Sequence, residues 1–357
     1  MIKKLLLRIS IVGFWVALLV FILYWPRIDW RHLEANSISV FAWGDILDPE
    51  VIEDFERKTG IKVHLNYYSS NEELLVKLKA TKGEGYDLIV PSDYAVQILI
   101  RDGLLKPLDK TKLNFLEHLN PLLLDKFYDP GNQYSLPFDW EMFGLGIDET
   151  YFKNHPFAPS WRLIYDRNLI DYKIGMINDP IETILITSFY LYGIKHHLSN
   201  EEADRLRNLL IQQRSWVAVY ADFRADYLLA TKNCPVVVAS SSYIWRTMRE
   251  FPFVKFIVPE EGTFISIENL AVPIATSKEN LVYRLINYLY SRESAAAHFN
   301  TFGLFPAINN AYDLMKLDPL AEKLMRSSKE EFAKYHFTEE LLPEADVRDI
   351  WVQIKAP

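Results

Sequence analysis

The chain has 357 residues, half of them hydrophobic, with 9 Trp, 20 Tyr, 21 Phe, one cysteine and a net charge of −8. That apolar content supports a packed core, and the length suits two lobes better than one. The acidic balance argues against a nucleic-acid partner and favours cationic ligands, although solubility alone also explains it, and the lone Cys234 excludes an intramolecular disulfide or a multi-cysteine metal site.

In chain order, Lys3, Lys4 and Arg8 precede an uncharged run of 17 residues from Ile9 to Trp25. This is just long enough to span a bilayer and longer than the usual signal-peptide core. Trp25, Arg27 and Trp30 follow in the manner of an interfacial belt. No small-residue cleavage site comes soon after. Residues 1–36 therefore read as a signal anchor and a linker, with the body exported across the membrane; a cleaved signal peptide is the alternative. Residues 1–32 carry five Lys/Arg against one Asp, which leaves −12 on residues 33–357.

The next stretch predicts a β-α-β-α-β unit: a strand from Ile38 to Trp43, an amphipathic helix, a strand from Ile61 to Tyr67, a second helix, and a strand from Asp87 to Val90. In open α/β sheets ligands bind outside the carboxyl ends of the strands. Trp43, Asp45, Ser92 and Tyr94 stand there. Residues 103–130 read as turns and short helices, and Tyr134 to Trp140 leads into a glycine-spaced strand, Phe143 to Ile147. A second series follows: strands at 173–177, 216–220, 235–239 and 253–258, helices at 180–192, 200–213 and 242–250. A return strand spans Ser266 to Ala275, then helices 278–291 and 293–299, and charged helical sequence from Met315 onward. Alternating strands and helices imply an α/β fold with largely parallel sheets covered by helices. Two such series joined by two crossings predict lobes facing across a cleft.

Asp179 and Glu182 fall at i and i+3 where a strand gives way to a helix, so both carboxylates can share the first helical turn. Asp at N-cap, Pro180 at N1 and Glu at N3 also resemble a capping box that needs no ligand. Asp45 reads equally as a turn residue, Glu268 as a solvated strand-edge charge, and Trp43 and Tyr94 as core or rim aromatics. Their shared placement at strand ends favours a site. The sequence has no G-x-S-x-G elbow, no H-E-x-x-H helix and no P-loop, so a binder rather than an enzyme is expected, with no catalytic residue, cofactor or metal. A membrane-anchored hydrolase using the Asp/Glu pair is the distant alternative.

The segments 41–45 (FAWGD), 55–63 (FERKTGIKV), 69–73 (SSNEE), 86–94 (YDLIVPSDY), 134–137 (YSLP), 179–182 (DPIE) and 268–273 (ENLAVP) together resemble the polyamine (spermidine/putrescine) binding proteins of bacterial ABC transporters, from Ile38 to the end. The resemblance implies a type II periplasmic binding-protein fold. One lobe would comprise residues 37–142 plus 268–308, the other 143–267 plus 309–357. It implies a monomeric, extracytoplasmic solute-binding protein that captures spermidine or putrescine and delivers it to an ABC permease and ATPase. Another small cationic or amino compound on the same fold is the alternative. Carried over residue by residue, Trp43 is an aromatic wall, Asp45 the adjacent carboxylate, Ser92 and Tyr94 the contacts after the third strand, Asp179 and Glu182 the acidic pair of the opposite lobe, and Glu268 the carboxylate beside the second crossing. Aromatic residues usual in the family are replaced by Ile46, Ser240, Ser266 and Leu304, with Phe305, Trp140 and Trp245 as candidate substitutes. Each missing cation–aromatic contact removes about 0.5–2 kcal/mol.

Overall fold

The protein is represented by a computed structural model that describes residues 13–16, 18–21, 36–154, 156–221 and 225–355. Residues 13–16 and 18–21 are helical. Trp25, Arg27 and Trp30, on which the expected anchor depends, lie outside the described residues. Among those described, no helix is long and apolar enough to cross a membrane.

Strand β1 (Ser37–Trp43) is buried along nearly its whole length, as a central strand covered on both faces must be. It pairs in parallel with β2 (Lys62–Tyr68) on one side and β3 (Leu88–Ile89) on the other. The connecting helices carry their own start and stop signals. In α1 (Pro49–Thr59) the Asp48 carboxylate accepts from the Glu50 amide at 2.8 Å, Pro49 occupies the first turn, and Gly60 closes the helix in the left-handed region at φ 71°. Val51, Ile52 and Phe55 form its buried stripe. Helix α2 (Asn71–Thr81) is capped by Ser70, and α3 (Asp93–Arg101) starts directly after β3 with Ser92 at its N-cap.

Strand β4 (Ser135–Asp148) is a single run of 14 residues. Its first half pairs antiparallel with β9 (Thr263–Ala271). Its second half pairs antiparallel with β7 (Val236–Ser240) and β8 (Val254–Ile257). β7 in turn is parallel to β5 (Ile174–Ile177), which is parallel to β6 (Val217–Ala221). Where β4 passes from one set of partners to the other, the Thr263 hydroxyl donates to the Phe143 carbonyl at 2.5 Å. The short strands β10 (Phe305–Pro306) and β11 (Tyr335–Phe337) add to β4 and β9.

The α/β expectation holds, but the sheets are less parallel than expected. Every pairing of β4, and that of β3 with β9, is antiparallel. Strand direction is set by how the chain crosses, which local alternation does not encode. The return strand ends at Ala271 rather than Ala275, since Pro273 has no amide to continue a ladder. Helices α4 (Pro180–Tyr192), α5 (Asn200–Gln213) and α6 (Ser241–Glu250) fall close to where the sequence puts them.

Apolar side chains from both sets of strands form extended clusters. One gathers Val40, Phe55, Trp140, Ile267, Leu285 and Phe299; another gathers Leu145, Trp161, Met176, Leu185 and Leu206. The final helix, Glu344–Lys355, adds Val347, Ile350 and Ile354 to the second, while Phe332 packs edge-on to Trp140 at 5.7 Å. Cys234 is buried, and burial pushes its thiol pKa up, which suits an inert structural thiol.

The glycine spacing in β4 reflects close approach. A Cβ on Gly144 would lie 2.6 Å from the Ile257 carbonyl oxygen and 2.6 Å from the Phe256 ring. Gly144→Ala is expected to destabilise the protein by about 1–3 kcal/mol, read as a lowered urea midpoint. Gly44→Ala, where a Cβ meets nothing within 4 Å, should change stability by less than about 0.5 kcal/mol.

Candidate functional site

Strands β1, β3, β5 and β7 all end at one cavity of about 220 Å³. The N-termini of α2, α3, α4 and α6 open on it through Ser70, Ser92, Asp179 and Ser240. A helix N-terminus presents free amides and a partial positive charge, so the bare backbone here is suited to negative charge. The side chains supply it. Asp45, Glu72, Glu141, Asp179, Glu182 and Glu268 line the cavity, and among the described residues Arg246 is the only lysine or arginine that does.

All seven residues singled out from the sequence line this cavity: Trp43, Asp45, Ser92, Tyr94, Asp179, Glu182 and Glu268. The Trp43 indole donates to Glu268 Oε2 at 2.9 Å and packs against Tyr68, ring centroids 4.6 Å apart. Ser266 Oγ donates to the other Glu268 oxygen at 3.3 Å. Tyr94 donates its hydroxyl to Glu72 Oε1 at 2.7 Å; burial pushes its phenol well above the usual range, so it stays a neutral donor. Ser92 bridges in sheet fashion to Glu268. Its hydroxyl is buried without a hydrogen-bond partner among the described residues. Asp179 caps α4, accepting from the Glu182 amide at 2.8 Å. The capping geometry is therefore present, and the same carboxylate faces the cavity. Asp45 is largely exposed and pairs with Arg246 at 3.2 Å.

Two lining carboxylates escaped the sequence reading. Glu141 lies on β4, where Ser242 Oγ donates to its Oε2 at 2.5 Å and the Ser240 hydroxyl lies 2.9 Å from that of Ser242. A carboxylate inside the otherwise buried strand Ser135–Asp148 was the available signal, since such groups are rarely placed there unpaired. Glu72 sits in the first turn of α2, where the helix dipole alone accounts for an acidic residue.

The proposed aromatic substitutes are elsewhere. Trp140 and Trp245 are buried against Phe305 and Phe299 respectively, and neither they nor Phe305 line the cavity. Trp43, Tyr94, Phe143, Tyr243 and Phe302 form its aromatic surface. Ser240 and Ser266 stand where the resemblance leads one to expect tryptophan, and both belong to hydrogen-bonded groups that hold carboxylates.

These acids crowd one another. Burial pushes Glu268 well above the usual carboxylate range, reinforced by Glu141 and Asp93. Glu182 is raised in the same way by burial, then by Asp179, Glu141 and Glu268. Glu141 is raised by burial against the opposing hydrogen bonds of Ser240 and Ser242. Asp93, buried at the first turn of α3, is pushed by burial up to about 8, partly offset by backbone amides, one of them that of Tyr94 at 2.9 Å. Each of these shifts favours the neutral, protonated acid. Such an arrangement can accept ammonium groups through charge-assisted hydrogen bonds and release protons as it does so.

A family model described as bacterial extracellular solute-binding protein matches residues 50–323. The chain is 27% identical over 282 residues to the spermidine/putrescine-binding periplasmic protein of Escherichia coli, covering 77% of this chain and 78% of that one. It is 27% identical over 344 residues to the putrescine-binding periplasmic protein SpuD of Pseudomonas aeruginosa, covering 89% and 92%. In fold it is similar to a putative spermidine/putrescine ABC transporter from Listeria monocytogenes, with a TM-score of 0.81, 24% identity, and 90% and 99% of the two chains covered. The α/β architecture matches that of type II periplasmic binding proteins.

Carboxyl groups raised on folding favour the folded state below their unfolded pKa, and that advantage is lost as pH rises towards the folded value. Other groups act at lower pH. Glu73 and Glu202, drawn down to about 2 by hydrogen bonds from Lys77 and Lys195, contribute fully above about pH 5, and His298, held neutral by burial with its pKa lowered to about 4, is neutral in both states above about pH 7. From about pH 7 to about pH 8 the ligand-free protein should therefore lose stability, by up to about 1.4 kcal/mol per pH unit, as Asp93, pushed up to about 8, gives up its proton; the raised Glu268 and Glu182 act in the same direction. Urea midpoints across that range check this; a flat or rising profile contradicts it.

Proposed function

The chain belongs to the family of bacterial extracellular solute-binding proteins, and we propose that it captures a polyamine, spermidine or putrescine, and delivers it to an ABC permease and ATPase. One observation carries the ligand reading: six carboxylates against one guanidinium, among the described residues, around a single cavity with aromatic faces. A polyamine is the complementary object, with ammonium groups for the acids and methylene segments for the rings. Both curated relatives named above carry a polyamine in their names, and their location supports a periplasmic place for this chain. The N-terminal apolar run would tether it to the inner membrane.

In this reading Glu268, Glu141 and Glu182 bind ammonium groups near the centre of the cleft, with Asp179 and the Tyr94–Glu72 pair at one end. Trp43 both positions Glu268 and offers its ring to a methylene or ammonium group. Ser92 supplies a hydroxyl ready to accept from an ammonium. Two lobes hinged where β4 and β9 run between them would close on the ligand, as domain closure does in such proteins. Desolvating several acids is costly, so affinity depends on nearly complete pairing in the closed cleft. A binding protein of this kind performs no covalent chemistry.

The test is calorimetry on the full-length chain in mild detergent with putrescine, spermidine and neutral amino acids. Heat and a thermal shift with a polyamine but none with neutral amino acids are expected; silence with every polyamine refutes the ligand. Glu182→Gln should weaken binding by about 2–5 kcal/mol without loss of stability. Asp179→Asn separates cap from ligand contact, because Asn caps a helix as well as Asp. Stability should hold while affinity falls.

A further inference from the structure

Arg246 is the exception in this cleft. Its Nη1 lies 3.2 Å from Asp45 Oδ2, and its guanidinium carbon sits 4.5 Å from the centre of the Tyr243 ring. A carboxylate and an aromatic face are the pair of partners that the cleft would give to a ligand ammonium. Here a side chain of the protein already holds both. Arg246, Tyr243 and Asp45 all line the same cavity as Glu141, Glu182 and Glu268. We propose that Arg246 occupies one ammonium position of the cleft from within the chain, and so limits the ligand to a diamine. This inference rests on the polyamine reading above.

The placement is built rather than incidental. Tyr243 and Arg246 are three residues apart on α6, hence on one face of the helix. That helix is fixed from behind by the buried side chains of Ile244 and Trp245. Gly303 packs so closely against Trp245 and Ser242 that a Cβ there would lie 2.9 Å from the indole and 3.0 Å from the Ser242 carbonyl. The Arg246 side chain is only a quarter exposed, so its guanidinium is held at the cleft. A tethered cation competes as an intramolecular partner, at an effective concentration that a free ammonium must overcome. Arginine also keeps its charge at any relevant pH and loses little freedom in a stacked, ion-paired pose. What remains for a ligand is the acid set from Glu141, Glu182 and Glu268 through Asp179 to Glu72. On this proposal two ammonium groups take that set. A third, at the far end of a triamine, meets a guanidinium instead of Asp45.

Calorimetry on the full-length chain in mild detergent tests this with putrescine and spermidine against wild type, Arg246→Met and Arg246→Gln. Methionine keeps an unbranched stem over Tyr243 and removes the charge; glutamine is the second variant should the first fold poorly. Wild type should prefer putrescine. Both substitutions should shift the spermidine-to-putrescine affinity ratio towards spermidine by about tenfold or more, and adding Asp45→Asn should abolish that shift. An unchanged ratio overturns the inference while leaving polyamine binding intact. Silence with both amines in every protein removes the polyamine reading, and this one with it. Binding of 4-aminobutyrate that Arg246→Met destroys also overturns it, because the guanidinium would then be a ligand for a carboxylate.

Discussion

Glu141, Glu182 and Glu268 share one cleft; Glu141 raises the pKa of both of the others, and Glu268 raises that of Glu182. Burial and mutual repulsion both work against ionising these acids together. Most of what is distinctive about the site follows from that conflict. Protonation is one way to relieve it. A polycation relieves it better, since it satisfies several carboxylates at once and brings donors to each. The binding free energy of such a ligand is therefore in part the release of repulsion already present in the empty cleft.

The serines alter what kind of cleft this is. A tryptophan face attracts an ammonium by about 0.5–2 kcal/mol and tolerates a range of positions. A carboxylate held by serine hydroxyls, as Glu141 is by Ser242 and Glu268 by Ser266, has a fixed direction, and hydrogen bonds to charged groups contribute about 1.5–3 kcal/mol. Where the resemblance leads one to expect tryptophan, Ser240 and Ser266 instead belong to hydroxyl groups that hold Glu141 and Glu268. Directed ion pairs of this kind would make position along the cleft matter more than soft stacking does.

The α/β fold, and the gathering of the seven singled-out residues around one cavity, were legible because both rest on local signals. Strand ends, proline and glycine punctuation and helix caps put Trp43, Asp45, Ser92, Tyr94 and Asp179 at chain positions that only a strand-to-helix junction produces. Glu268 was found through its motif. Glu141 was hidden because it sits within a strand, where alternation assigns a face but not what the face looks onto. Arg246 lies well inside a helix, and its partner Asp45 is 201 residues away. The antiparallel course of β4 and β9 was invisible for a similar reason: direction depends on how distant segments meet.

Helix N-termini explain how the fold tolerates so many acids in one place. The carboxyl ends of parallel strands and the amino ends of the helices that follow them converge on the same crevice, and their free amides favour anions. In this chain the anions are built in. Asp179 takes the amide of Glu182, and Glu72 lies in the first turn of α2. The backbone stabilises the carboxylates, and the carboxylates in turn present negative charge to the cavity. An architecture whose exposed amides suit phosphate or carboxylate ligands is thereby inverted into one that suits ammonium. Removing an acid from this layer does more than delete a contact: it uncovers part of the positive helix end beneath, so the local field turns against the cation that the cleft is shaped to hold.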